Sequence, residues 1–152
     1  MKKTREIRFR AWDKKNEKFF EPIYEAYKGN LHDINISLGG QVAERTLDIC
    51  ADMKRTDDFI LQQYTGLLDK NGKEIYEGDI IKDRYENEVE VVVFGNIGYD
   101  GKWNGLTGFA LKSWESKHWE THKSNGFYEL EYHFEPKELE VIGNIYENKE
   151  LL

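Results

Sequence analysis

The sequence predicts a mainly-β protein: a hairpin-containing N-terminal subdomain over 1–63 and a small five-stranded barrel over 64–152. Aromatic residues make up 14% of the 152-residue chain and only two residues are proline, a composition suited to rings packed on pleated surfaces. Apolar and polar residues alternate over short runs, the period of a half-buried strand. Turn residues punctuate those runs, most densely in 64-YTGLLDKNGKEIYEGDII-81.

The first hairpin is read in 6-EIRFRAWDKKNEKFFEPIY-24. Ile7, Phe9 and Ala11 alternate with Arg8, Arg10 and Trp12, so the first set is expected inward and the second on the opposite face, facing solvent or a partner. Asp13 to Asn16 supplies the turn, and the return strand starts at Lys18. A second alternating run reaches Leu38 through Ile34 and Ile36, and Gly39-Gly40 ends it. Between Gln41 and Thr56, the spacing of Val42, Thr46, Ile49, Cys50 and Met53 predicts a short amphipathic helix, with a strand as the alternative. Strand character resumes over Phe59–Tyr64. Asn71-Gly72 predicts a type I′ hairpin turn, and Glu77-Gly78-Asp79 a second turn. Strands then follow at 79–83, 89–94, 109–114, 128–134 and 139–146, and five short strands in this length suit an SH3-like barrel.

Charge and composition narrow the function. The net charge of −7 opposes sequence-independent nucleic-acid binding, which depends on Lys and Arg at phosphates. The first ten residues carry five basic side chains and one Glu, whereas 115–152 carries nine Glu and four Lys. A homo-oligomer that sets the basic strand of one copy against the acidic segment of another is therefore expected, the alternative being two solvated surfaces that never meet. A single cysteine, Cys50, excludes an internal disulfide framework. No apolar run resembles a signal peptide or a membrane helix, so the expected location is the cytoplasm.

Chemical motifs are weak. The segment 95-GNIGYDGKWNGLTG-108 has five glycines and a Gly-Lys pair, but a phosphate loop requires Gly at 96 and Ser or Thr at 103. Asn96 and Trp103 stand there, so the segment is read as a long hairpin loop displaying Tyr99 and Trp103. His118 and His122 have the i,i+4 spacing of zinc ligands on a helix. Trp119 occupies the place where a zinc-protease motif has Glu, and solvated histidines are the plainer reading. Cys50 is read as a packed side chain, and no serine lies in a nucleophile elbow. No catalytic residue, metal or cofactor is assigned. The candidate partner-binding residues are Arg8, Arg10, Trp12, Tyr99 and Trp103, because rings beside cations serve protein interfaces and, less well at this net charge, single-stranded nucleic acid.

Three segments, 6-EIRFRAWD-13, 63-QYTGLLDKNGKEIYEGDII-81 and 139-LEVIGNIYENKELL-152, together resemble the YopX family of small proteins encoded by phages and prophages of mainly Gram-positive bacteria. The resemblance implies a C-terminal SH3-like barrel and a place in the bacterial host cytoplasm, and it brings no catalytic residues to carry over. The segments 28–57 and 113–125 match none of its motifs. The expectation is a non-enzymatic phage accessory protein that binds a host or phage protein. A nucleic-acid-associated SH3-like module is the alternative, and a metal-dependent hydrolase a distant third.

Overall fold

The computed structural model describes residues 6–25, 28, 30–46, 54–82, 89–99, 102–113, 127–129 and 138–152. Among these the secondary structure is almost wholly strand and turn, apart from a 3-10 helix at Lys149–Leu151, so the chain is mainly β as expected. Two compact units emerge, Arg10–Leu61 on the one hand and Met1–Phe9 with Gln62–Leu152 on the other. The chain passes between them inside β1 (Phe9–Asp13) and β7 (Phe59–Leu68).

In the Arg10–Leu61 unit, β1 pairs antiparallel with β2 (Lys18–Phe19). Asp13 builds the turn between them. Its Oδ1 accepts from the backbone N–H groups of Lys15 and Asn16, and its Oδ2 accepts from Asn16 Nδ2 at 2.6 Å. Burial alone would push this carboxyl up, but those donors and His32 hold it below the ordinary value. Phe20 stands edge-on to both His32 and Phe59.

A four-stranded antiparallel sheet completes the unit: β3 (Ile23–Glu25), β4 (Asn30–Ile36), β5 (Val42–Thr46) and β6 (Lys54–Arg55), in that order. The expected helix over 41–56 is corrected here, because Val42–Thr46 and Lys54–Arg55 are strands. Val42 and Thr46 are four residues apart, a spacing that helix and strand satisfy equally. β-Branching and the five-pair ladder offered by β4 favour the strand. Ile49, Cys50 and Met53 lie outside the described residues.

In the other unit, β7 pairs with β8 (Glu74–Tyr76), and five strands form one antiparallel sheet in the order β12-β11-β10-β9-β13. They are β9 (Asp79–Lys82), β10 (Val89–Tyr99), β11 (Lys102–Ser113), β12 (Phe127–Glu129) and β13 (Glu140–Asn144). These are the strands read as the barrel. Among the described residues their order is linear, with β12 and β13 at its ends. Ile75, Ile81, Val92, Leu111, Leu139 and Val141 form the core, with Leu67 and Phe109 packed against it.

The turn at Asn71-Gly72 differs from the expected type I′, which needs positive φ at both central residues. Gly72 has φ of 79°, but among the described residues the only non-glycine with positive φ is Glu17. Asp69 N–H donates to Lys73 O and Gly72 N–H to Asp69 O, so the loop is the three-residue kind, a turn closed by a left-handed glycine. Asp69 selects it. Its Oδ1 accepts from Asn71 and Lys73 N–H at 2.8 Å each, and its Oδ2 accepts from Val141 N–H at 3.1 Å. Burial would raise the Asp69 carboxyl, but the N–H groups of Val141, Lys73 and Asn71 outweigh it and hold the carboxyl low.

The second turn is tied more deeply. Gly78, buried and at φ of 80°, donates to Val92 O and accepts from Ile145 N–H. Asp79 Oδ2 accepts from Tyr76 N–H, and its Oδ1 accepts from Asn144 Nδ2 at 3.1 Å. Asn144 also exchanges hydrogen bonds with Gln62. Gln62, Asp79 and Asn144 are each no more than 2% exposed.

Two glycines in one conformation therefore have different roles. A Cβ at Gly72 meets nothing within 4 Å, whereas a Cβ at Gly78 collides with Gln62 Nε2. Gly72→Ala should cost about 1 kcal/mol from backbone strain alone. Gly78→Ala should cost roughly 3 kcal/mol or more, since it also breaks a buried amide network; urea unfolding of the two variants measures the difference. Asp69 gives a pH prediction. A carboxyl held low when folded stabilises above its unfolded pKa of about 3.9 and loses that contribution as pH falls through the folded value. Asp69→Asn should be less stable than the parent by about 2 kcal/mol at neutral pH, and the gap should close in acid-titrated denaturant midpoints.

Candidate functional site

The structure places Arg8, Arg10 and Trp12 against aromatic rings. Arg8 is held by two carboxylates, Nε lying 3.0 Å from Glu6 and Nη1 2.6 Å from Glu74. Its guanidinium sits 4.7 Å from the centre of the Tyr64 ring. Tyr64 is buried, tilts against Tyr76, and pairs through its backbone N–H with Arg8 O. The Tyr76 hydroxyl donates to Glu74. Burial and the Glu74 charge raise the Tyr64 hydroxyl above its usual value, against the pull of Arg8. In the Arg10–Leu61 unit, the Arg10 guanidinium lies 4.4 Å over Phe19, and Trp12 meets the same ring edge-on.

The expected faces of the first strand hold at Ala11, which is 4% exposed, and fail on either side of it. Ile7 and Phe9 are 67% and 42% exposed, while Trp12 is 6% exposed. Arginine accounts for part of the difference, since its apolar stem and flat guanidinium pack on rings as a hydrophobic side chain does. Polarity alone therefore misassigned Ile7, Phe9 and Trp12. The charge of Arg8 is answered within its own unit by Glu6 and Glu74.

Tyr99 and Trp103 lie on paired strands, not in an open loop. The ladder of β10 and β11 runs on through Gly95↔Gly108 and Ile97↔Leu106 to Gly98↔Trp103 and Tyr99↔Lys102. The expected loop over 95–108 is thus mostly ribbon. Phe94 and Phe109, paired in register with ring centres 5.1 Å apart, anchor its base. The register shifts between Ile97 and Gly98, so Asn104 and Gly105 are the two residues without opposite numbers. β9 pairs with β10 only through Val89–Val91, and Gly78 donates to Val92 O. Beyond that point, among the described residues, no strand covers the outer edge of β10 from Phe94 to Tyr99.

The other chemistry weighed from sequence finds no assembled site. His118, His122 and Cys50 lie outside the described residues. Among the described residues no cluster of three or more His, Cys, Asp or Glu could hold a metal ion. Asp13, Asp69 and Asp79, buried carboxylates that could be mistaken for acid–base groups, all accept hydrogen bonds from backbone N–H groups. Sequence reasoning missed Glu77 and Tyr146. Burial raises the Glu77 carboxyl against a hydrogen bond from Gln63, and burial with the Glu77 charge raises the Tyr146 hydroxyl. Only their places in the two recognisable segments pointed to them.

These features define a mainly-β chain of two small units whose aromatic and basic residues pack together in ring–guanidinium clusters. The chain belongs to the YopX protein family, whose pattern it matches over residues 8–152. Among solved structures it is similar to the crystal structure of protein EF1440 from Enterococcus faecalis, with 26% identity, 96% of this chain and 97% of that chain covered, and a TM-score of 0.44. No curated protein matches it. Among the described residues no helix is long and apolar enough to cross a membrane.

If Arg8 serves to neutralise Glu6 and Glu74, Arg8→Glu gathers three like charges beside Tyr64 and lowers the melting temperature by several degrees. Adding Glu74→Arg to the same chain should recover most of that loss, and differential scanning calorimetry with and without salt follows both changes.

Proposed function

We propose that this chain is a non-enzymatic protein-interaction module, a phage or prophage accessory protein of the bacterial cytoplasm, and that the β10–β11 hairpin meets the partner. The observation that supports this is the outer edge of β10 from Phe94 to Tyr99, which no strand covers among the described residues. Edge strands in soluble proteins are normally guarded by Lys, Pro or a covering element. Between 93 and 109 there is no proline, and only Asp100 and Lys102 are charged, in a chain that is 34% charged. An unguarded edge suits strand addition, in which a partner's backbone completes the ladder. Tyr99 and Trp103 lie beyond the bulge at the far end of that ladder, and both residue types are enriched in protein interfaces.

The nucleic-acid alternative is weaker. It needs basic groups free to meet phosphates, and Arg8 is already held by two carboxylates. Affinity capture from phage-infected cells separates the two readings, using the parent and a Tyr99→Ser/Trp103→Ser variant of matching circular dichroism, with and without nuclease. A discrete protein retained after nuclease and lost in the variant is the expected result. Capture that disappears with nuclease, after DNA or RNA has been recovered, would replace this reading with the nucleic-acid one.

A further inference from the structure

We propose that two copies of this chain associate through the Arg10–Leu61 unit, with Leu38 of each copy seated in a cleft of the other. This contact lies apart from the β10–β11 hairpin and does not rest on the function proposed for it. Leu38 is at the tip of the turn joining β4 to β5, and it is fully exposed. The turn is internally braced. Ser37 N–H donates to Gln41 O, Gly40 N–H to Ser37 O, and Gln41 N–H to Ser37 Oγ. Gly40 supplies the positive φ of 76° that closes it. An apolar side chain is thus presented on a fixed support. Ile36, 39% exposed, continues the apolar surface down β4, directly opposite Val42 in the register.

Val42 in turn lines a cleft of about 740 Å³ in the same unit, with Phe59 and Leu61 among its apolar walls and Gly40 at one side. The knob and the hole are therefore neighbours on one hairpin. A knob two residues from the wall of a hole is an arrangement that a two-fold axis makes self-complementary, because each copy then offers its knob to the hole of the other. The polar lining favours the same occupant. Lys14 and Asp57 both line the cleft, and among the described residues neither makes an ion pair. Two chains of net charge −7 repel each other, so a contact that brings opposite signs together offsets part of that cost. In the proposed dimer, Lys14 of one copy pairs with Asp57 of the other, twice over.

The test is sedimentation velocity over a concentration series, with the full chain and four variants. The parent should reach twice the mass of one chain. Leu38→Asp should remain monomeric with unchanged circular dichroism and melting, since a fully exposed side chain contributes little to the monomer. Lys14→Asp and Asp57→Lys should each raise the dissociation constant about tenfold, and the two together should restore it, because the swap rebuilds both pairs in reverse. The proposal is overturned if the parent is monomeric throughout, if Leu38→Asp keeps the parent's mass, or if the double swap is no better than either single reversal.

Discussion

The carboxamide of Asn144 is the point on which the larger unit depends. It bonds Gln62 from β7 and Asp79 from β9, and its Oδ1 also accepts from Tyr146 N–H. Its own backbone N–H is bonded to Asn148 Oδ1. One side chain thus joins three segments that are distant in sequence. Buried amides and carboxylates are costly when unpaired, and here each is answered by another. The network permits one arrangement, because shifting β13 by one residue would leave Gln62 and Asp79 buried without Asn144. An apolar cluster at the same place would tolerate such a slip far more easily. Gly143 leaves the room this needs: a Cβ there would stand 2.7 Å from Asn148 Oδ1.

The same logic explains why the most distinctive sequence segments are scaffold. Asp69, in the central segment, receives Val141 N–H from the last one, while Lys70 N–H donates to Leu139 O and its ammonium pairs with Glu140. Gly78 and Asp79 meet Ile145 and Asn144. Each turn of the central segment therefore has its partner in 139–152. The residues are specific because each one bonds another.

How much of this the sequence disclosed depends on the range of the interaction. The strands from Asp79 onward were legible because alternation and turn residues are local signals, and most of their bounds fall close to those expected. Gln62 with Asn144 was not legible, since two amides 82 positions apart carry no periodic mark. Val42–Thr46 was misread because its apolar spacing satisfies two periods at once. The β10–β11 ribbon was misread as loop because glycines weaken a strand in isolation, whereas Gly95 opposite Gly108 costs little when Phe94 and Phe109 anchor the ladder. On the first strand the error was chemical: arginine was counted as polar where it packs as a flat, partly apolar surface.

The division of the chain has a consequence for its synthesis. The smaller unit is one unbroken run, Arg10–Leu61, and all of its residues have left the ribosome once Leu61 has emerged. The larger unit is split, with its first residues made before that run and the rest after it. Arg8 must wait for Tyr64 and Glu74, and Gln62 must wait for Asn144, 82 residues further on. A ribosome that stops short of Asn144 releases a chain with one unit whole and the other lacking its central hydrogen bonds. Order of synthesis and order of folding therefore coincide for the inserted segment and diverge for the segment that surrounds it.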